Sequence, residues 1–309
     1  MEEIVHDFFP FMRVYKDGRI VRLMGEGFVP PESDPETGVQ IKDVEIDPQI
    51  NLSARLYLPK NVDTVQKIPL FVYFHGGGFV IESASSPSYH KHISKVAAEA
   101  KVVIVSVNYR LAPEYLLPIA YEDSWLALKW VASHIANGDG HEPWLKDHAD
   151  FNRMYFGGDS AGGNIAHHIA IRVGLEKLDV KLEGIFLACP FFWGKDPIDG
   201  EGGSKDVIEK LWLFVNPNSS GLDDPLMNPE KDPKLCSLGC DKVLVYVAGK
   251  DTLRFRGFYY KEVLEKSGWP GTVEIVEVKD EAHVFYLSAT EAENAMAMMK
   301  KLASFLNQS

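Results

Sequence analysis

The chain has 309 residues, 46% hydrophobic and 25% charged, with a formal net charge of -12 and an isoelectric point near 5.3. That length is ample for a sizeable core, and the acidic balance argues against non-specific binding to nucleic acid or an anionic membrane, which reward basic patches. Three cysteines, Cys189, Cys236 and Cys240, without a C-x-x-C pair argue against a disulfide framework and for a reducing compartment.

In chain order, the first residues, Met1 to Asp7, lack the basic region and long apolar run of a signal peptide. No apolar segment approaches the roughly 20 residues that span a bilayer, and Leu306 to Ser309 carries no prenylation or retention signal. The expectation is a cytoplasmic protein with no membrane or nucleic-acid partner. Residues 11–16 and 19–23 flank Asp17-Gly18, a two-residue hairpin signal. Pro30-Pro31-Glu32-Ser33-Asp34-Pro35 reads as loop, and Leu52–Leu58 alternates as a further strand. The first third is therefore expected to be antiparallel.

From Ile68 the pattern changes. Short apolar runs recur at 68–74, 102–107, 154–156, 185–188, 243–247 and 273–278. Most are separated by segments of helical period, clearest over 121–135, where Trp125, Leu128, Val131 and Ile135 share one face. Continuous apolar strands alternating with helices predict a mostly parallel central sheet flanked by helices on both faces, with an antiparallel edge. Residues 190–233 break this rhythm, with one short helix expected over 206–214. Phe191, Phe192, Trp193, Leu211, Trp212 and Phe214 make the insertion too apolar for a solvated loop. It is expected to cap a binding site, with Phe191, Phe192, Trp193 and Trp212 as candidate substrate-binding residues. The amino-terminal segment around Phe8, Phe9 and Phe11 is expected to close over the same place. With no repeat or linker, 1–309 reads as one domain whose cap comes from about 1–25 and 190–233.

Gly158-Asp159-Ser160-Ala161-Gly162 lies between a predicted strand (153–156) and a predicted helix (163–172). That is the setting of a G-x-S-x-G elbow, where a strained serine needs flanking residues without side chains. A serine hydroxyl needs a base to take its proton, and the base needs an orienting carboxylate. Asp251 follows the strand at 243–247, and His283 follows the strand at 273–278. This is the order Ser, Asp, His on loops beyond successive strands. His75-Gly76-Gly77-Gly78 follows the strand Ile68–Phe74 and lacks the Gly-Lys-Ser/Thr ending of a phosphate loop. With a serine elbow downstream, the N–H groups of Gly77, Gly78 and Ala161 are candidate oxyanion donors. His167 and His168 on the helix after the elbow are expected to pack, and Asp159 is not expected in the triad. His90, His92, His134, His141 and His148 form no ligand pattern, so neither metal nor cofactor is expected.

His75-Gly76-Gly77-Gly78, Tyr109-Arg110-Leu111-Ala112-Pro113-Glu114, Ala120-Tyr121-Glu122-Asp123 and the serine elbow resemble the hormone-sensitive-lipase-type branch of α/β-hydrolases. The resemblance covers essentially the whole chain and is closer still to plant carboxylesterases. Glu142-Pro143-Trp144-Leu145, His148-Ala149-Asp150-Phe151 and Cys189-Pro190-Phe191-Phe192-Trp193-Gly194 are most similar to the 2-hydroxyisoflavanone dehydratase subgroup. The resemblance implies an α/β-hydrolase fold, a Ser160-Asp251-His283 triad and an oxyanion hole at Gly77, Gly78 and Ala161. It leaves three functions open. One is a carboxylesterase acting on small, largely apolar esters. Another is a dehydratase-like lyase or cyclase acting on phenolics, although some dehydratases carry threonine where this chain has Ser160. The third is a hormone receptor, which the presence of His283 disfavours.

Overall fold

The computed structural model describes residues 3–135, 138–176, 178, 180–201 and 205–308. Three short strands open the chain: β1 (Ile4–Phe8), β2 (Met12–Tyr15) and β3 (Ile20–Arg22). They pair antiparallel into a small sheet of their own, order β1-β2-β3. Gly18, at φ 85°, makes the β2–β3 turn that Asp17-Gly18 predicts.

The main sheet begins with β4 (Gln40–Asp47), β5 (Leu52–Leu58) and β6 (Ile68–Phe74), followed by α1 (Pro87–Ala100) and β7 (Val103–Asn108). Next come α2 (Ile119–Ala132), α3 (Pro143–His148), β8 (Ala149–Asp159), α4 (Ala161–Glu176) and β9 (Leu182–Ala188). After α5 (Lys205–Val215) follow β10 (Lys242–Ala248), α6 (Arg254–Lys266), β11 (Thr272–Val278), α7 (Phe285–Ser288) and α8 (Glu293–Leu306). The 8-stranded order is β11-β10-β9-β8-β6-β7-β5-β4. Pairing is parallel from β11 to β7 and antiparallel at the β7–β5–β4 edge. No described helix is long and apolar enough to cross a membrane.

The expected hairpin over 11–23 thus stands apart from the main sheet, whose antiparallel edge is β4 and β5. β4 escapes sequence detection because its apolar residues do not alternate cleanly; the register slips between Glu45 and Asp47. It is fastened instead by charge, with Asp43 accepting two hydrogen bonds from buried Arg55 on β5. The helix expected over 121–135 ends at Ala132, so Ile135 lies past it. There Gly138 and Gly140 donate to the carbonyls of Ile135 and Ser133 and close the turn.

Strand order reverses around β6, where the chain runs first to β7 and then back to β8 on the other side. In such sheets the crevice at the carboxyl ends of the strands is the natural binding site. Register sets what meets there. Phe74 pairs with Gly158, Asp159 with Ala188, Ala188 with Tyr246, and Ala248 with Val278. The segments after β6, β8, β9, β10 and β11 therefore emerge along one edge.

The β8–α4 elbow is held tightly against β6. Ser160 takes a left-handed φ of 50°, its N–H donates to Ala188 (2.9 Å), and its carbonyl accepts from Phe191 (2.9 Å). A methyl group on Gly162 would land on the carbonyl oxygens of Phe74 and His75, and one on Gly158 would meet Gly162 and Phe74. Gly162→Ala is expected to lower the free energy of unfolding, measured by urea titration, by about 1–3 kcal/mol, the usual cost of forcing atoms into a filled interior.

Candidate active site

Ser160 sits at the elbow, buried to 7% exposure, with its backbone fixed as described. His283 lies in the loop between β11 and α7, and Asp251 in the loop between β10 and α6. These two meet: His283 Nδ1 and Asp251 Oδ2 are 2.7 Å apart. The other Asp251 oxygen accepts the Leu253 N–H at 3.0 Å. Burial alone would raise the Asp251 carboxyl, but the charge and hydrogen bond of His283 outweigh it and hold the carboxyl below its usual range. Burial alone would lower the His283 imidazole, whereas the Asp251 carboxylate raises it well above its ordinary value. Among the described residues the Ser160 hydroxyl makes no hydrogen bond.

The glycine loop after β6 is built for close approach. Gly77 and Gly78 adopt φ of 100° and 61°. Among the described residues the N–H groups of Gly77, Gly78 and Ala161 have no acceptor. Several polar anchors hold the loop from behind. Tyr89 Oη accepts the Gly76 N–H (2.8 Å) and donates to Asp159 (2.7 Å), which also accepts from Tyr73 (2.7 Å). Burial pushes the Asp159 carboxyl up to about 6. Tyr109 donates to the His75 carbonyl (2.6 Å) and stacks on the His75 ring with centroids 4.2 Å apart. Burial pushes His75 down to about 4, so this ring is neutral packing material. From the small sheet, Arg22 reaches the carbonyls of Val80 (2.7 Å) and Ala112 (3.1 Å) and pairs with Glu114.

The four aromatics singled out in the insertion are dispersed. Phe191 lies edge-on to Phe79, the residue after Gly78. Phe192 stacks instead on Tyr260 and faces His167, on the α4–α6 side. Trp193 lies beside Arg256 and donates to Glu209. Trp212 is fully buried and donates to the Gly221 carbonyl (3.0 Å). From the insertion, Leu211 reaches the glycine loop: its Cδ2 would lie 2.8 Å from a Cβ on Gly78. Three turns of α5 chemistry explain its place: Leu211, Trp212 and Val215 are buried, and Phe214 packs on Phe8 and His6 of β1. His167 and His168 pack, bonded to the Tyr260 hydroxyl and the Leu226 carbonyl.

Two neighbours of the site were not signalled as such by the sequence. Asp159, although not expected in the triad, supports the glycine loop through Tyr89. Cys189, directly after β9, brings its Sγ into a group with Asp251 and His283 in which all ligand atoms lie within 4.8 Å. The one available signal was that Cys189 also follows a core strand.

A family model described as alpha/beta hydrolase fold matches residues 71–287. The chain is an α/β-hydrolase. It is 47% identical to 2-hydroxyisoflavanone dehydratase of Glycyrrhiza echinata, over 99% of this chain and 97% of that protein. It is 49% identical to probable carboxylesterase 7 of Arabidopsis thaliana, over 99% of each. Among solved structures, the esterase of Pyrobaculum calidifontis superposes with a TM-score of 0.70 at 27% identity, covering 86% of this chain and 84% of that one.

In this α/β-hydrolase, Tyr89→Phe removes the acceptor of a buried N–H and one of the two donors to Asp159. An unsatisfied buried group costs about 1–3 kcal/mol. The variant is expected to lose that much stability in urea and to turn over more slowly at unchanged KM, because the Gly76 anchor, not the binding pocket, is altered.

Proposed function

We propose that this protein is a carboxylesterase that cleaves small, largely apolar esters through a covalent acyl-enzyme. The observation that supports this reading is the 2.7 Å His283–Asp251 bond, on the same edge of the sheet as a left-handed Ser160 and three N–H groups that have no acceptor among the described residues. Ser160 Oγ attacks the ester carbonyl while His283 Nε2 takes its proton. Asp251 keeps the remaining imidazole proton on Nδ1 and stabilises the charge that forms. Negative charge developing on the carbonyl oxygen is met by the N–H groups of Gly77, Gly78 and Ala161, each such donor being worth about a hundred- to a thousandfold in rate. The imidazolium protonates the departing alcohol, and water, activated by His283, then releases the acid from Ser160.

The reading extends to a cap made from α5, the residues around it and the amino-terminal strands. In that cap Leu211 stands over Gly78, and Phe191 reaches the same loop through Phe79. The acyl group would therefore meet aliphatic and aromatic surface, which suits short apolar chains. A small-molecule ester is the partner this implies.

Ser160→Ala is expected to abolish hydrolysis of p-nitrophenyl acetate. An organophosphate should add one covalent mass to the wild-type chain and none to the variant. An unlabelled wild type would refute the acyl-enzyme.

The pH profile follows from the base. His283 must be uncharged to accept a proton, so the rate falls as pH drops through its midpoint. Asp251 raises that midpoint above the ordinary imidazole value of 6.5. In Asp251→Asn the acidic limb should move to lower pH, and kcat should fall by up to about ten-thousandfold.

A second reading is elimination of water from 2-hydroxyisoflavanones, favoured by the 47% and 44% identity to the dehydratases of Glycyrrhiza echinata and Glycine max. Here His283 would act as base on carbon and the glycine amides would hold an enolate-like oxygen. Dehydration that survives in Ser160→Ala would support it; a wild type without dehydratase activity would remove it.

A further inference from the structure

The His283–Asp251 pair has a neighbour for which ester hydrolysis has no task. Cys189 directly follows β9 with a left-handed φ of 46°, and its N–H donates to the Tyr246 carbonyl at 2.7 Å. Its thiol is buried, and its Sγ lies with an Asp251 oxygen and a His283 nitrogen inside the 4.8 Å group. The three ligands come from three different strand ends. Cys240, although also buried, and the exposed Cys236 lie outside the group. A thiol, an imidazole and a carboxylate together are the donor set of zinc-class ions. Magnesium and calcium prefer oxygen alone.

We propose that Cys189, Asp251 and His283 form an inhibitory binding site for a zinc-class divalent ion. The inhibition rests on the esterase reading; the binding does not.

Metal bonds of about 2.3 Å to sulfur and about 2.0–2.2 Å to nitrogen and oxygen place tetrahedral ligand atoms about 3.3–3.6 Å apart. The present 2.7 Å between Nδ1 and Oδ2 must widen, and the thiol must swing in, both within reach of side-chain rotation. Entry is over the His283 side chain, which is 36% exposed while that of Asp251 is 4%.

At a pH above the His283 midpoint, where the ring is neutral and hydrolysis runs, the protons balance simply. The ion bonds to the thiolate sulfur, and the thiol proton leaves to solvent. The imidazole stays neutral, but its proton passes from Nδ1, now metal-bound, to Nε2. Nε2 becomes a donor and has no lone pair for the Ser160 proton. One ion therefore releases one proton and silences the base without touching the serine.

The test uses the full chain carrying Cys236→Ser, which removes the exposed thiol. Cadmium is titrated while cadmium–thiolate charge-transfer absorption and p-nitrophenyl acetate hydrolysis are followed. One ion per chain is expected, with absorption rising and rate falling at a shared midpoint and both reversed by EDTA. Calorimetry in two buffers of different protonation enthalpy, at a pH above the acidic limb of hydrolysis, should report one proton released. Adding Cys189→Ser, or Cys189→Ala should the first fold poorly, is expected to abolish the absorption. Relative to its own metal-free rate, that variant should need at least tenfold more cadmium for inhibition. Magnesium should do nothing. No absorption in the Cys236→Ser protein, or equal inhibition with and without Cys189, would overturn the site. Absorption with undiminished hydrolysis would overturn its inhibitory role. A metal-free protein inactive on esters would refute the esterase reading alone, because the absorption titration still decides the site.

Discussion

The close approach of Gly162 to the carbonyl oxygens of Phe74 and His75 is the constraint on which the rest of the molecule turns. It clamps the start of α4 against the end of β6, so the Ser160 elbow and the glycine loop cannot drift apart. Neither glycine of the elbow has room for even one carbon more. The left-handed backbone at Ser160 is then maintained by its neighbours, through the Ala188 carbonyl and the Phe191 N–H. A strained residue persists when its surroundings over-determine it, and here both strands beside β8 take part.

Around that clamp, polar groups are spent on backbone rather than on substrate. Asp159, Tyr73 and Tyr89 hold the Gly76 N–H, Tyr109 holds the His75 carbonyl, and Asn164 donates to the carbonyls of Phe191 and Leu226. The last pair binds the elbow helix directly to the insertion. Farther out, buried Arg256 pairs with Glu201 and donates to the Asp196 carbonyl, pinning the loop before α5 to α6.

Much of this was legible in the sequence because it is local. A strand followed by a polar or glycine-rich turn announces itself, so the positions of His75 to Gly78, Ser160, Asp251 and His283 at strand ends could be read directly. The edge strand Gln40–Asp47 could not, because its apolar residues do not alternate cleanly and its register slips between Glu45 and Asp47. The small amino-terminal sheet was half visible: its hairpin had a turn signal, but β1 exposes four of its five residues and carries no apolar alternation. The contacts of Asp159 with Tyr73 and Tyr89 span 86 and 70 residues, and no periodicity foretells them. Composition marks the aromatic residues of the insertion as buried without saying against what. Hence Leu211, an unremarkable aliphatic, is the one that reaches Gly78.

Arg22 ties two parts of the chain that would otherwise answer to different needs. From a three-stranded ribbon at the amino terminus it grips the carbonyl of Val80, just beyond the glycine loop, and that of Ala112, whose N–H donates to Phe79 beside the same loop. The ribbon is thus a brace as well as a cover. Nicking or fraying of the first two dozen residues would leave the large sheet standing but slacken the loop that must stay rigid, so chemical power would fade before the fold does.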